Sequence, residues 1–321
     1  SATMDELLRT RTTTFFDSSL RADELWLNGE KQDARELTRF LDLVRVRAKT
    51  KLKARVASIN CFPTGAGFAS SASGYAALAV ACNKALSLGL DDVGLSILAR
   101  QGSGSACRSV YGGFVEWQAG TKQDGSDSFA FQLAEANHWP QLRNVIAVVA
   151  KEKKKVSSRS GMQSTVSTSP LFQARLNYLP NVLKKVRTAI AKKDLPTLCE
   201  AVMRDSDNMH ACMLDSWPPI MYLNDVSRRV IERVLEFNAC EGELAAGYTF
   251  DAGPNAHVFT IEKNVPALVK ALEEVDGVKQ VLVASVGSGP CVVSKESEFL
   301  IDESGVVRKA VFNGKRIIFE D

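Results

Sequence analysis

Pro63-Thr-Gly-Ala-Gly-Phe-Ala-Ser-Ser-Ala-Ser-Gly74 stands between two apolar runs. Val56-Ala-Ser-Ile59 before it predicts a buried strand, and Tyr75-Ala-Ala-Leu-Ala-Val-Ala-Cys82 after it predicts a long apolar helix. Strand, small-residue loop and helix start together leave backbone N–H groups free at the positive end of a helix dipole, a place that suits phosphate. The loop is not a P-loop, since no Gly-Lys-Ser/Thr occurs, and Ser70 stands where a dinucleotide fingerprint needs its third glycine. A turn of small residues that lets a helix pack closely explains the same letters. The loop alone does not separate the two readings.

Upstream, Thr10-Arg-Thr-Thr-Thr-Phe-Phe16 and Leu25-Trp-Leu27 read as strands, the second ending at the turn pair Asn28-Gly29. Leu37, Phe40, Leu41 and Val44 recur at helical spacing. Every second residue from Arg45 to Arg55 is basic, which reads as a solvated face where a helix ends and a strand starts; no aromatic residue is interleaved for base stacking. Downstream, Gly102-Ser-Gly-Ser-Ala-Cys-Arg-Ser109 opens a short helix before the strand-like Phe114-Val-Glu-Trp117. Val145-Ile-Ala-Val-Val149 reads as a central strand, and the charged run Lys151-Glu-Lys-Lys-Lys155 marks the expected boundary between halves. Helical patterns follow over 171–193, 195–204 and 224–240, then strand, turn and strand over 248–261, a helix near 264–274 and a strand over 280–285. Strands and helices mix without regular βαβ alternation, so the fold class is α+β with mainly antiparallel pairing.

The 321 residues are 45% hydrophobic and 24% charged, with Lys plus Arg at 40 against Asp plus Glu at 37. That balance excludes a disordered chain and gives no reason to expect nucleic acid as a partner. No run of about 18 apolar residues suits a membrane span. The opening residues lack the apolar run of a signal peptide. Seven scattered cysteines without a Cys-x-x-Cys fit a reduced, cytoplasmic protein better than a disulfide framework.

Four segments could carry chemistry: the Pro63–Gly74 loop, Gly102–Ser109, Val156-Ser-Ser-Arg-Ser-Gly-Met162 and Tyr248-Thr-Phe-Asp-Ala-Gly-Pro-Asn255. The arginine of the second suits a carboxylate or diphosphate, because a guanidinium binds such groups as a fork. The aspartate of the fourth sits at a strand end before a glycine turn, an arrangement an ordinary Asx-turn also explains. His138, His210 and His257 lie far apart without ligand spacing, so no zinc site and no direct protein metal ligand is expected; His138 and His210 read as packed or surface residues. Cys107 beside Arg108 reads as a buried structural thiol rather than a nucleophile.

In this order, the segments resemble the mevalonate diphosphate decarboxylase family of the GHMP kinase superfamily. Asn60–Tyr75 is similar to the family's ATP loop, Gly102–Trp117 to its substrate loop and Tyr248–Ala256 to its catalytic-acid segment; Leu25–Gly29, His210, Pro218-Pro219 and Gly287–Pro290 agree more weakly. The resemblance implies a GHMP-kinase-like fold of two lobes around a deep cleft, with an ATP-binding lobe over 1–155 and a C-terminal lobe over 156–321. It implies a carboxy-lyase that converts mevalonate 5-diphosphate and ATP, with Mg2+, to isopentenyl diphosphate, carbon dioxide, ADP and phosphate, as a homodimer in isoprenoid and sterol synthesis. Asp251 and Arg108 take the catalytic roles, Asp251 at the hydroxyl and Arg108 at the carboxylate. Ser103, Ser105, Arg108, Ser158 and Arg159 bind substrate. Pro63, Gly65, Ala66, Gly67, Ala69, Ser70 and Ser71 bind ATP. The family's opening strand with its Ile-Lys-Tyr-Trp-Gly-Lys segment has no counterpart here, and the chain is expected to start at the second strand. Two other readings stand beside this one: a small-molecule kinase of the same superfamily, and a non-catalytic remnant.

Overall fold

Residues 1–5, 8–62, 70–149, 156–314 and 316–320 are described by the computed structural model, and they form two compact units. The first is built from residues up to Phe62, residues 70–138 and the tail from Val286; the second is built from Trp139–Ser285.

In the first unit, β1 (Thr10–Asp17), β2 (Glu24–Leu27), β3 (Glu30–Gln32) and β4 (Lys53–Asn60) form a sheet in the order β1-β4-β2-β3. β2 and β3 make a hairpin with Leu27 opposite Glu30, and Asn28 and Gly29 both adopt positive φ, as a two-residue turn of this hand requires. β1 pairs antiparallel with β4, whereas β2 runs parallel to it. β4 is covered on both faces, which is why its sequence is apolar at successive positions. Ala54 and Val56 pack with α1 (Arg35–Ala48) and α2 (Ser70–Ala85), while Ala57 and Ile59 pack with Leu300, Ile301 and Ala310 of the tail. α1 is helical because Leu37, Phe40, Leu41 and Val44 share one buried face, and Lys49 closes it in the left-handed conformation. α3 (Asp92–Gly102), β5 (Phe114–Trp117) and β6 (Ala130–Ala134) complete the N-terminal part, and β11 (Ala310–Phe312) pairs with β12 (Ile317–Phe319) in the tail. At the other end of the chain Ala2 bridges Phe114 and Met4 bridges Val286.

The basic run splits between α1 and β4, as expected, but Arg45 does not face solvent. It is 6% exposed and donates two 3.0 Å hydrogen bonds to the carboxylate of Asp23, with a third to Asp42 at 2.6 Å. Asp23 also accepts from the Ala54 N–H at 3.0 Å, so this group fastens α1 to the sheet.

The second unit holds β7 (Leu142–Val148), α4 (Ser158–Thr168), α5 (Leu171–Lys192), α6 (Leu195–Leu214), α7 (Asp225–Glu241), β8 (Gly247–Phe250), β9 (Ala256–Ile261), α8 (Val265–Glu273) and β10 (Gln280–Ser285). The sheet order is β10-β7-β9-β8, all antiparallel, and β7 is buried at its centre. α6 starts at an Asp194 cap and α7 at an Asn224–Ser227 capping box, with Gly242 closing α7 at positive φ. The expected boundary after the charged run Lys151–Lys155 lies outside the described residues. β7 precedes it but pairs with β9 and β10, and the tail after Ser285 returns to the first unit. Among the described residues, no helix is long and apolar enough to cross a membrane.

Candidate active-site segments

The ends of the Pro63–Gly74 loop meet on one threonine. Thr10 Oγ1 donates to Asn60 Oδ1 at the end of β4 (2.8 Å) and shares a 2.7 Å hydrogen bond with Ser73 Oγ in the first turn of α2. Pro63, Gly65, Ala66, Gly67 and Ala69 lie outside the described residues; Ser70 begins α2 and Ser71 follows it. Ser71 Oγ lies 3.3 Å from Ser103 Oγ, so the first turn of α2 and the end of α3 are brought together. Gly102 permits the approach, because a Cβ there would stand 2.1 Å from the Tyr75 ring.

A short 3₁₀ helix, Gly104–Arg108, carries Ser105 and Arg108 onward from Ser103. Trp117 of β5 packs beneath it: a Cβ on Gly104 would come to 3.1 Å of its ring, and the Arg108 guanidinium lies 5.9 Å from a Trp117 ring centroid. Trp117 is itself fixed by an Nε1–H bond to Ser128 Oγ at 3.0 Å. Buried Ser96 donates to the Cys107 carbonyl (3.0 Å) and accepts from the Ala130 N–H (2.8 Å), locking the 3₁₀ helix to β6. Burial pushes the Cys107 thiol up to about 11, which makes it a packing residue.

In the second unit, Ser158 and Arg159 open α4 behind an Ser157 cap, whose Oγ accepts from the Ser160 N–H at 3.1 Å. Tyr222 donates to the Ser157 carbonyl at 3.1 Å, and Gly161 leaves room for that hydroxyl. Asp251 is the exposed residue directly after β8. Its turn is tied at several points: the Gly253 N–H donates to the Asp251 carbonyl (2.7 Å), the Val149 N–H to Asn255 Oδ1 (2.7 Å), and Ser227 Oγ to the Pro254 carbonyl (2.8 Å). Two histidines feel the charge of Asp251, namely His210 on α6 and His257 on β9; burial holds both below the usual imidazole range, and Asp251 works against it. His257 Nδ1 lies 3.0 Å from Asn144 Nδ2.

Ser71, Ser103, Ser105 and Arg108 thus form one group in the first unit, and Ser158, Arg159 and Asp251 belong to the second. Sequence reasoning missed Trp117, Tyr222 and the placement of His210. Only Trp117 left a legible trace, an aromatic residue nine positions after the arginine on a predicted strand. Among the described residues, no group of three or more His, Cys, Asp or Glu side chains could hold a metal ion.

Residues 1–130 match the family model for the diphosphomevalonate decarboxylase-like N-terminal domain, and residues 144–280 match that for the mevalonate 5-diphosphate decarboxylase C-terminal domain. The mixed helices and antiparallel sheets match the solved mevalonate diphosphate decarboxylase of Staphylococcus aureus with a TM-score of 0.85, at 37% identity over 91% of this chain and 88% of that one. A second structure, of MDDEF in complex with MVAPP, AMPPCP and magnesium, matches with a TM-score of 0.80 at 40% identity, covering 87% of this chain and 85% of that one. The diphosphomevalonate decarboxylase mvd1 of Aspergillus fumigatus is 42% identical over 89% of this chain and 84% of its own length. The fold is therefore that of the GHMP-kinase-like proteins. Within it, the chain belongs to the diphosphomevalonate decarboxylase family.

Proposed function

We propose that this protein catalyses the ATP-dependent decarboxylation of mevalonate 5-diphosphate to isopentenyl diphosphate, with Asp251 and Arg108 as its catalytic residues. The observation that carries the reading is the family match over both units together with an exposed aspartate on a tied turn, in the segment the resemblance assigns to the acid.

A tertiary hydroxyl is a poor leaving group, so ATP first phosphorylates it. Asp251 orients the hydroxyl and takes its proton as the oxygen attacks the terminal phosphorus, and ADP departs. Phosphate then leaves with the electrons of the carbon–oxygen bond. The bond to the carboxyl carbon breaks, its electrons become the new double bond, and carbon dioxide is released. Arg108 holds the carboxylate as a fork until that bond breaks. Ser103 and Ser105 bind substrate phosphate oxygens, Ser158 and Arg159 add further anion contacts, and the Pro63–Ser71 segment holds the nucleotide. The bound MVAPP, AMPPCP and magnesium of the solved relative support ATP and Mg2+ here, the cation entering with the nucleotide phosphates. Catalysis by such residues is positioning and charge stabilisation.

Carbon dioxide release and ADP formation from mevalonate 5-diphosphate and MgATP test the reading. Asp251→Ala is expected to lose roughly 3 kcal/mol or more of transition-state stabilisation. ADP formed with a stable phosphorylated acid and no gas would instead support the kinase, and no nucleotide binding at all would support the remnant. The resemblance also supports a homodimer, which sedimentation at twice the monomer mass would bear out. Seven free cysteines, five of them buried, support a reducing cytoplasmic setting.

A further inference from the structure

Because β8 lies at the edge of its sheet, the outward backbone groups of its residues have no neighbouring strand among the described residues. At Phe250, the last residue before Asp251, α6 supplies the partners. The Phe250 N–H donates to Ser206 Oγ at 3.0 Å, and the Phe250 carbonyl lies 3.3 Å from His210 Nε2, which donates to it. The same imidazole meets the Phe250 ring edge to face, with centroids 6.3 Å apart and planes at 84°. Two residues earlier the Tyr248 hydroxyl donates to Asp207 Oδ2 at 3.0 Å. Ser206, Asp207 and His210 are at i, i+1 and i+4 of α6, so one stretch of helix grips the end of the strand.

We propose that Ser206 and His210 are positioning residues that set the aim of Asp251 by clamping both backbone groups of Phe250. The inference rests on the catalytic reading of Asp251 above. Its physical content is that the Phe250 carbonyl belongs to the peptide bond shared with Asp251, so a bond to that oxygen restrains the plane from which the aspartate Cα departs. Beyond the aspartate, the turn is held by its bonds to Val149, just past β7, and to α7. His210 is the titratable one of these two partners. Asp207, Asp251 and Arg175 are the charged groups around its ring, and burial pushes its proton affinity down against the pull of the two carboxylates. An Nε2–H donates to a carbonyl in the neutral ring and in the imidazolium alike. The clamp therefore adds no ionisation of its own to the reaction.

Steady-state kinetics on the full chain with mevalonate 5-diphosphate and MgATP separates this role from others. His210→Ala and Ser206→Ala are expected to lower kcat by about 10- to 100-fold, the scale of a misplacement near 1 Å, with KM for both substrates nearly unchanged. His210→Gln, which keeps a side-chain N–H, is expected to recover much of the loss, and the limbs of the pH–rate profile are expected to stay in place. Unchanged kcat in both alanine variants while Asp251→Asn is inactive overturns the clamp and leaves the catalytic aspartate standing. A pH limb lost in His210→Gln also overturns it, by making His210 an acid or base. Should Asp251→Asn be as fast as the parent, the catalytic reading falls first. Ser206→Ala removes only one hydroxyl, so it decides the matter if His210→Ala does not fold, with the thermal transition as the check on folding.

Discussion

At the scale of single residues, Asp23 and Arg45 show how one buried contact can outweigh a whole pattern. Six basic residues alternate from Arg45 to Arg55, yet the first is buried against an aspartate 22 positions away. Removing one partner of such a pair leaves the other charge buried, so Asp23→Ala is expected to cost about 3–5 kcal/mol in urea unfolding. Burial opposes the charge of Asp23, but hydrogen bonds from Arg45 and the Ala54 N–H prevail and hold its carboxyl below the usual range. Its contribution is complete above the unfolded value near 3.8 and is lost as pH falls through the lower folded value. Acid unfolding below about pH 4 should therefore be less steep in Asp23→Asn than in the parent. Arg108 calls for a different substitution. Arg108→Lys keeps the charge but loses the fork, and kcat/KM for mevalonate 5-diphosphate is expected to fall about 100-fold. An equal value in the two proteins would remove the carboxylate role.

Between elements, the decisive contacts are those that glycine permits. α2 and α3 meet where Gly102 faces the Tyr75 ring, and a methyl group there has no room. Gly102→Ala should cost about 1–3 kcal/mol by overpacking, and Tyr75→Leu in the same chain should return part of it, a coupling that a double-mutant cycle on thermal unfolding would measure. α6 and β9 carry a pH response of opposite chemistry to that of Asp23. His210 and His257 are held below the usual imidazole range mainly by burial, so the unfolded chain binds protons more readily than the folded one. Stability should decline as pH falls below about 6.5, and His257→Val should flatten the decline in melts at pH 7.5 and 5.5. Most elements were legible from periodicity: α1 from Leu37, Phe40, Leu41 and Val44, the β2–β3 hairpin from Asn28-Gly29, and the β8–β9 hairpin from its glycine turn. The grip of α6 on Phe250 was not. It joins residues 40 positions apart through backbone groups, which carry no side-chain signature.

Across the whole molecule, the division into units was the least legible feature. β7 reads as a central strand from its own letters, but which sheet it centres depends on β9 and β10, more than 100 residues downstream. The charged run Lys151–Lys155 is a shift in composition alone, while the hydrogen-bond ladder marks the unit. Within the candidate segments, the residue types were readable and their grouping was legible only by resemblance. The tail gives this scale its prediction: deleting residues 298–321 strips Leu300, Ile301 and Ala310 from beneath Ala57 and Ile59, and the first unit should become sensitive to protease while Trp139–Ser285 stays resistant.

That returning tail also orders events during synthesis. A ribosome releases chain from the amino end at about 5–20 residues per second, so Trp139–Ser285 emerges whole before the last pieces of its neighbour exist. That unit can therefore mature first. The earlier-made β4 must wait, with one greasy side bare, for a cover made only after Val286, and during that delay a chaperone has its clearest opportunity to bind.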